Sequence, residues 1–289
     1  MQLKGQCIII SGANQGFGLE IARQFVQEGA HVMLCARNTE KLFAAQQTLQ
    51  ALARNRSRVL AQVTDITQVD QVHALVSKTI CEFGRLDTLV ANAGIYGAKG
   101  AVDEVDWEEW SVAIDINLKG TVLQCRAVLP QFKQQRNGKI IIISGGGATK
   151  PLPYFSAYAA SKAAVVRFAE TLAEEVASFG IEVNTVAPGS LNTRFLDEVL
   201  AAGPEKVGQA FYEQSLKQKR EGGTPLTIGA SLCVFLASSA SDGITGKLIS
   251  ALWDPWKAFS NYIDELKHSD IYTLRRIIPE DRGKKWGNV

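Results

Sequence analysis

Apolar residues along this chain fall into short unbroken runs, separated by longer stretches in which they recur every three or four positions. The runs are 7–11, 32–36, 59–63, 88–91, 140–144, 181–187 and 248–252. Their length suits strands, and the lack of polar alternation, plainest in Ile140-Ile141-Ile142-Ile143, predicts strands covered on both faces. Between them, 19–28, 40–53, 69–83, 107–133, 157–179 and 225–237 carry the helical period. Buried strands joined by right-handed crossover helices build a parallel sheet with helices on both faces. The expected fold class is α/β, a single Rossmann-type doubly wound parallel sheet of about seven strands.

The rhythm holds to about residue 252 and is lost beyond it. One domain over 1–252 is expected, followed by an extension, 253–289, with Trp253, Trp256 and Trp286 and a charged stretch at 275–285. Trp253, Trp256, Phe259, Tyr262 and Ile263 are expected to pack on the same domain or on a neighbouring subunit. With 46% hydrophobic and 21% charged residues, the chain has the balance of a folded globular protein. A net charge of +2 and the absence of a long Lys/Arg run leave no electrostatic footprint for nucleic acid. No apolar run approaches the roughly 20 residues of a membrane span, and the start lacks the sections of a signal peptide, so the cytoplasm is the default location. The five cysteines have no Cys-x-x-Cys or Cys/His spacing and read as reduced, buried thiols rather than metal ligands. The partner these features favour is a small molecule, neutral or mildly anionic, and neither nucleic acid nor membrane.

Ser11-Gly12-Ala13-Asn14-Gln15-Gly16-Phe17-Gly18 follows the first strand and opens a helix. Glycines at 12, 16 and 18 let the backbone turn tightly and approach a pyrophosphate, which the helix N-terminus attracts through oriented N–H groups and its dipole. The spacing is Gly-x-x-x-Gly-x-Gly rather than the commoner Gly-x-Gly-x-x-Gly, so the turn takes its meaning from the strand before it and the helix after it. The second strand ends in Cys35-Ala36-Arg37-Asn38. No carboxylate stands there to hold a ribose 2′-hydroxyl, and Arg37 can pair with a 2′-phosphate, so NADP(H) is favoured over NAD(H).

Tyr158-Ala159-Ala160-Ser161-Lys162 puts a phenol and an ammonium four positions apart, on one face of a predicted helix. A phenol titrates near about 10 in water, and a neighbouring cation favours its ionised form. Lys162 is therefore expected to bring Tyr158 into the working range of a general acid or base.

The glycine turn, Asn92-Ala93-Gly94 after the fourth strand, Asn117, Tyr158-x-x-x-Lys162, and Pro188-Gly189 followed by Thr193 occur in one order. Together they resemble the short-chain dehydrogenase/reductase family over roughly residues 5 to 250. The resemblance implies an NAD(P)-dependent oxidoreductase that moves a hydride between nicotinamide and a carbonyl or alcohol. It implies cofactor contacts from Gly12, Asn14, Gln15, Gly16, Phe17 and Gly18, from Arg37, and from Asp65 with Ile66 beside the adenine. It implies that Asn92, Ala93 and Gly94 steady the central sheet and that Pro188, Gly189 and Thr193 meet the nicotinamide end. Tyr158 is implied as the proton carrier, Lys162 as the holder of the nicotinamide ribose, and Asn117 as the holder of a relay water.

The pattern breaks at one place. Members of the family usually carry a catalytic Ser thirteen positions before the Tyr, and here that position is Gly145, within Ser144-Gly145-Gly146-Gly147-Ala148-Thr149. Ser144 can enter the site through a shifted loop, backbone N–H groups of Gly145 to Gly147 can supply the donors, or the freed space can admit a bulky substrate. The alternative function is an NADP(H)-binding protein with weak or no catalysis, acting as a regulator or assembly partner. The resemblance further implies a substrate-covering lid over 194–223, with Arg194, Lys217, Lys219 and Arg220 available to an anionic substrate, and assembly as a homodimer or homotetramer.

Overall fold

The run Ile8-Ile9-Ile10 forms the heart of the first strand in the computed structural model, β1 (Cys7–Ser11), and every residue of that strand is buried. The structure describes residues 1–53 and 57–286. The remaining strands among them are β2 (His31–Ala36), β3 (Val59–Val63), β4 (Thr88–Ala91), β5 (Gly138–Ile143), β6 (Ile181–Ala187) and β7 (Leu248–Ser250). They pair in parallel in the order β3-β2-β1-β4-β5-β6-β7. The chain thus starts mid-sheet, builds outward through β3, then crosses back to β4 on the other side of β1. That reversal opens a crevice at the carboxyl ends of β1 and β4, where ligands of such sheets bind.

Side chains alternate across the sheet, so β1 serves two cores. Ile8 and Ile10 pack on one face with α1 (Gly16–Gln27), α2 (Thr39–Leu52) and α10 (Leu226–Ala237). Ile9 packs on the other with α3 (Val69–Phe83), α5 (Gly120–Gln135) and α6 (Ser156–Val176).

The stretch 107–133, expected as one helix, is three pieces. α4 (Trp107–Ile114) passes into a π-helical turn, Asp115–Lys119, and then into α5. No proline or glycine in Asp115–Lys119 marks the widening, which is held by tertiary bonds of Asn117 described below. α1 begins at Gly16, three residues before the predicted start, β5 ends at Ile143 so that Ser144 lies beyond the strand, and β7 stops at Ser250. Residues 194–223 fold as α7 (Arg194–Ala202), α8 (Pro204–Val207) and α9 (Gln209–Glu221). Gly203, Gly208 and Gly222, with φ of 77°, 80° and 92°, separate and end them, torsions that few other residues adopt.

After β7 the chain wraps around the sheet edge. Trp256, Phe259 and Leu266, the last in α11 (Ile263–Lys267), are buried in the same core as α10, with the Trp256 ring 5.8 Å from that of Phe235. Trp256 Nε1 donates to the Ala251 carbonyl at 3.0 Å. Farther on, the Leu248 amide donates to the Tyr272 carbonyl and Lys247 Nζ to the Ser269 carbonyl, each at 2.7 Å. The Leu274 amide reaches Glu170 Oε1 on α6 at 2.6 Å, and Arg167 on α6 donates to the Leu274 carbonyl. Trp253, by contrast, is 80% exposed. Among the described residues no helix is long and apolar enough to cross a membrane.

Candidate active site

The glycine turn is shaped by close approach of main chain to main chain. A Cβ on Gly12 would stand 2.9 Å from Ala93 Cα, and one on Gly18 would overlap the Gly12 carbonyl oxygen and stand 2.5 Å from Asn92 Nδ2. Gly12 and Gly16 also have φ of 65° and 57°, in the left-handed region. Asn92 locks the turn to β4: its Nδ2 donates to the Ser11 carbonyl at 2.9 Å, while the amides of Asn92 and Ala93 donate to Ser11 Oγ at 3.1 and 3.2 Å. α1 carries no acidic residue in its first turn and no side-chain cap, which leaves its dipole and first N–H groups available to an anion. A cradle of this kind, which any side chain would fill, fits a dinucleotide pyrophosphate.

A cavity of about 670 Å³ runs along the carboxyl edge of the sheet. Gly12, Asn14, Gln15, Gly16, Phe17, Gly18, Arg37, Asp65, Ile66, Asn92, Ala93, Gly94, Ser144, Tyr158, Lys162, Pro188, Gly189 and Thr193 all border it. Asn117 alone of the predicted set does not. At one end of the cavity, Asn38 caps α2 by accepting from the Lys41 amide at 2.8 Å, and Lys41 Nζ donates to Gln15 Oε1 at 3.3 Å. Lys41, in the first turn of the helix capped by Asn38, thus reaches the glycine turn, a contact the sequence reading missed. Asp65 Oδ1 accepts from the Thr67 amide and hydroxyl at 3.0 and 2.8 Å, closing the turn after β3.

At the other end stand Tyr158 and Lys162, both on α6 and both buried. Their electrostatics differ from the expectation of an ammonium that ionises a phenol. Lys162 Nζ donates to the Ile143 carbonyl at 2.8 Å, at the end of β5, and lies 5.7 Å from the centre of the Tyr158 ring. Burial raises the Tyr158 phenol well above its ordinary range, and Tyr96 adds to the rise. Burial also lowers the Lys162 amine, to about 8. Exclusion of water thus disfavours both charged forms, the phenolate and the ammonium.

Asn117 is held rigidly by its side chain. Its Nδ2 donates to the Ile95 carbonyl and to Ser161 Oγ, and its Oδ1 accepts from the Ile95 amide, all at 2.9 Å. The π-helical turn aims this side chain at the loop after β4 and at α6, where it fixes both. Ser144 is buried, and its hydroxyl donates toward the Lys162 carbonyl at 3.4 Å. Gly145 and Gly146 border the cavity, and Thr149 does not.

The short chain dehydrogenase family matches residues 6–202 of the sequence. The chain belongs to the short-chain dehydrogenase/reductase family. Relatives include a 3-ketodihydrosphingosine reductase of Bacteroides thetaiotaomicron, 36% identical over 81% of this chain and 85% of that one. A 3β-hydroxysteroid dehydrogenase of Eggerthella lenta is 34% identical over 84% of this chain and 91% of that one. Among solved structures, levodione reductase superposes with a TM-score of 0.79 at 26% identity, covering 86% of this chain and 96% of that one. This short-chain dehydrogenase/reductase is an NAD(P)-dependent oxidoreductase, and a purely non-catalytic role is not favoured.

Beside Tyr158, the wall of the oxidoreductase's cavity is aromatic. Tyr96, which follows Asn92-Ala93-Gly94-Ile95, packs against Tyr158, Phe195 and Phe155 with ring centres 4.7, 4.6 and 5.0 Å apart. Leu152, Val199 and Phe211 continue it. The sequence reading missed this wall. Of the four lid cations expected at an anionic substrate, Arg194 and Lys219 border the cavity and Lys217 and Arg220 do not; Arg194 pairs with Glu198 at 3.0 Å, Lys219 with Asp197 at 2.7 Å and Lys217 with Glu221 at 3.8 Å. Neither Trp253 nor Trp256 borders the cavity.

Proposed function

We propose that this oxidoreductase interconverts an apolar ketone and its secondary alcohol, prefers NADP(H) to NAD(H), and uses Tyr158 as the proton carrier. The observation that carries the reading is the convergence of the protonated, buried Tyr158 with the apolar wall of Tyr96, Leu152, Phe195 and Phe211 in one cavity whose far end is the glycine cradle. A bound nicotinamide supplies hydride in reduction and accepts it in oxidation. The chain supplies the rest. Tyr158 gives its proton to the carbonyl oxygen, Lys162 would hold the ribose hydroxyls, Asn117 fixes the loop and helix that position both, and Thr193 would meet the carboxamide. Arg37, which borders the cavity just after β2, supports the 2′-phosphate reading, because it stands where a carboxylate would discriminate against that group. The ketodihydrosphingosine and hydroxysteroid chemistry of the two relatives agrees with an apolar substrate, and Arg194 and Lys219, the lid cations that border the cavity, already face carboxylates of their own segment.

In the same reading, 1–252 is the catalytic domain, 194–223 closes over substrate, and 253–289 is an extension strapped to that domain. The protein assembles as a homodimer or homotetramer, for which exposed Trp107 and Val112 on α4 offer apolar surface. The test is turnover of a panel of apolar and polar ketones and alcohols with NADPH and NADP⁺. Tyr158→Phe is expected to lose about 10²–10⁴-fold in kcat while still binding NADPH. Equal turnover by the variant on every active substrate removes Tyr158 from the mechanism, and a preference for charged or sugar substrates overturns the apolar assignment.

A further inference from the structure

Glycine stands at 145 for a different reason than at 147. Gly147 has φ of 93°, a torsion that favours glycine, whereas Gly145 lies outside the left-handed region and its backbone would accept any side chain. What it lacks is space. A Cβ on Gly145 would overlap the Tyr158 hydroxyl oxygen and stand 3.2 Å from Cζ. The ring has little freedom to retreat. Tyr158 is 6% exposed and edge-on to Tyr96. Its helical turn is tied down by Ser161, whose Oγ donates to the Tyr158 carbonyl at 2.8 Å and accepts from Asn117 at 2.9 Å. The nearest hydroxyl in sequence, on Ser144, is turned toward the Lys162 carbonyl.

We propose that Gly145 is a positioning residue: by carrying no side chain it gives the Tyr158 hydroxyl the volume that a serine would fill, so the phenol transfers its proton from a seat against the main chain at the end of β5. The inference rests on the reading of Tyr158 as proton carrier. In ketone reduction the phenol O–H breaks as the new O–H forms on the substrate oxygen, hydride comes from the bound nicotinamide, and a proton taken up from bulk solvent restores the phenol. It follows that inserting the residue usual in this family damages the site instead of repairing it.

The experiment compares full-length wild type, Gly145→Ala, Gly145→Ser, Tyr158→Phe and the Gly145→Ala/Tyr158→Phe double variant. Gly145→Ala is expected to lower Tm by several degrees when the phenol hydroxyl is present and by less than half as much in the Tyr158→Phe background, because the hydroxyl is what the new methyl meets. Both single changes at 145 are expected to lower kcat at least about tenfold, with NADPH affinity and KM little changed. A kcat for Gly145→Ser equal to or above wild type overturns the proposal, as does an equal loss of Tm with and without the hydroxyl. Wild-type turnover by Tyr158→Phe instead sinks the reading of Tyr158, while the Tm comparison, which needs no substrate, still decides whether Gly145 seats the hydroxyl.

Discussion

At the cofactor end of the cavity the wall is largely main chain: Gly12, Gly16 and Gly18 pressed against the Asn92-Ala93 backbone and latched by Ser11. At the substrate end it is side chain: Tyr96, Leu152, Phe195, Val199 and Phe211, two of them from loops and three from helices that glycines separate. Main chain cannot be varied by mutation without changing the path of the fold, whereas an aromatic wall can be recut residue by residue. The difference teaches that one end is built for a single ligand and the other for adjustment. It also divides the effects of mutation: errors at the first end should appear in cofactor affinity for every substrate, and errors at the second in KM for some.

The sharpest way to break this contrast is Gly18→Ala. Its methyl would overlap the Gly12 carbonyl and crowd Asn92, and overpacking of about 1–3 kcal/mol should weaken NADPH binding roughly tenfold to a hundredfold, measured by fluorescence titration. Unchanged affinity would mean that the cradle is not the pyrophosphate site.

A second test falls where the ends meet. Lys162 is held at about 8, below its ordinary 10.5, because burial disfavours the ammonium. The unfolded chain therefore binds the extra proton between those values. The folded protein carries the full penalty below about 8 and is relieved as pH rises toward 10.5, a change on the order of 3 kcal/mol. Thermal melts of the cofactor-free protein across this window should show Lys162→Met with a flatter profile than wild type, and parallel profiles would contradict the burial argument.

Arg37→Ala should weaken NADPH about tenfold and leave NADH untouched, as expected for one charge-assisted pair with a 2′-phosphate. The smallest effect is expected at the other end, where Phe211→Ala should raise KM for an apolar substrate about threefold to tenfold without altering cofactor affinity. If Phe211→Ala changed cofactor binding as much as KM, the two ends would not be separable.

The glycine cradle was readable from the chain because its demands fall on residue types that few others replace. A turn at φ near 60° and a backbone approach with no room for Cβ both leave glycine in the sequence, and the Asn92 latch leaves an asparagine at the end of a strand. Strands β1 to β7 were readable for a similar reason, since burial on both faces forces unbroken apolar runs. The aromatic wall was not, because Tyr96 and Phe211 look like any core residue until the fold brings a loop after β4 against a helix far along the chain. Tyr158 and Lys162 were readable as neighbours but not as a buried pair, since spacing gives adjacency and says nothing about exclusion of water. Asn117 was found for its type, but the side-chain bonds by which it braces the loop after β4 against α6 were not, because the π-helical turn that aims it has no local signature.

The outer edge of β7 would otherwise present unpaired backbone donors and acceptors to any passing strand. The Tyr272 carbonyl takes up the Leu248 amide, the Asp254 carboxylate takes up the Ser250 amide, and the chain then ties itself to α6. The strap thus acts as a guard against edge-to-edge association. Its consequence is one of solubility: a chain cut before Ser269 keeps every residue lining the cavity and frees the Leu248 amide at the sheet edge, a donor to which a strand of another copy can pair.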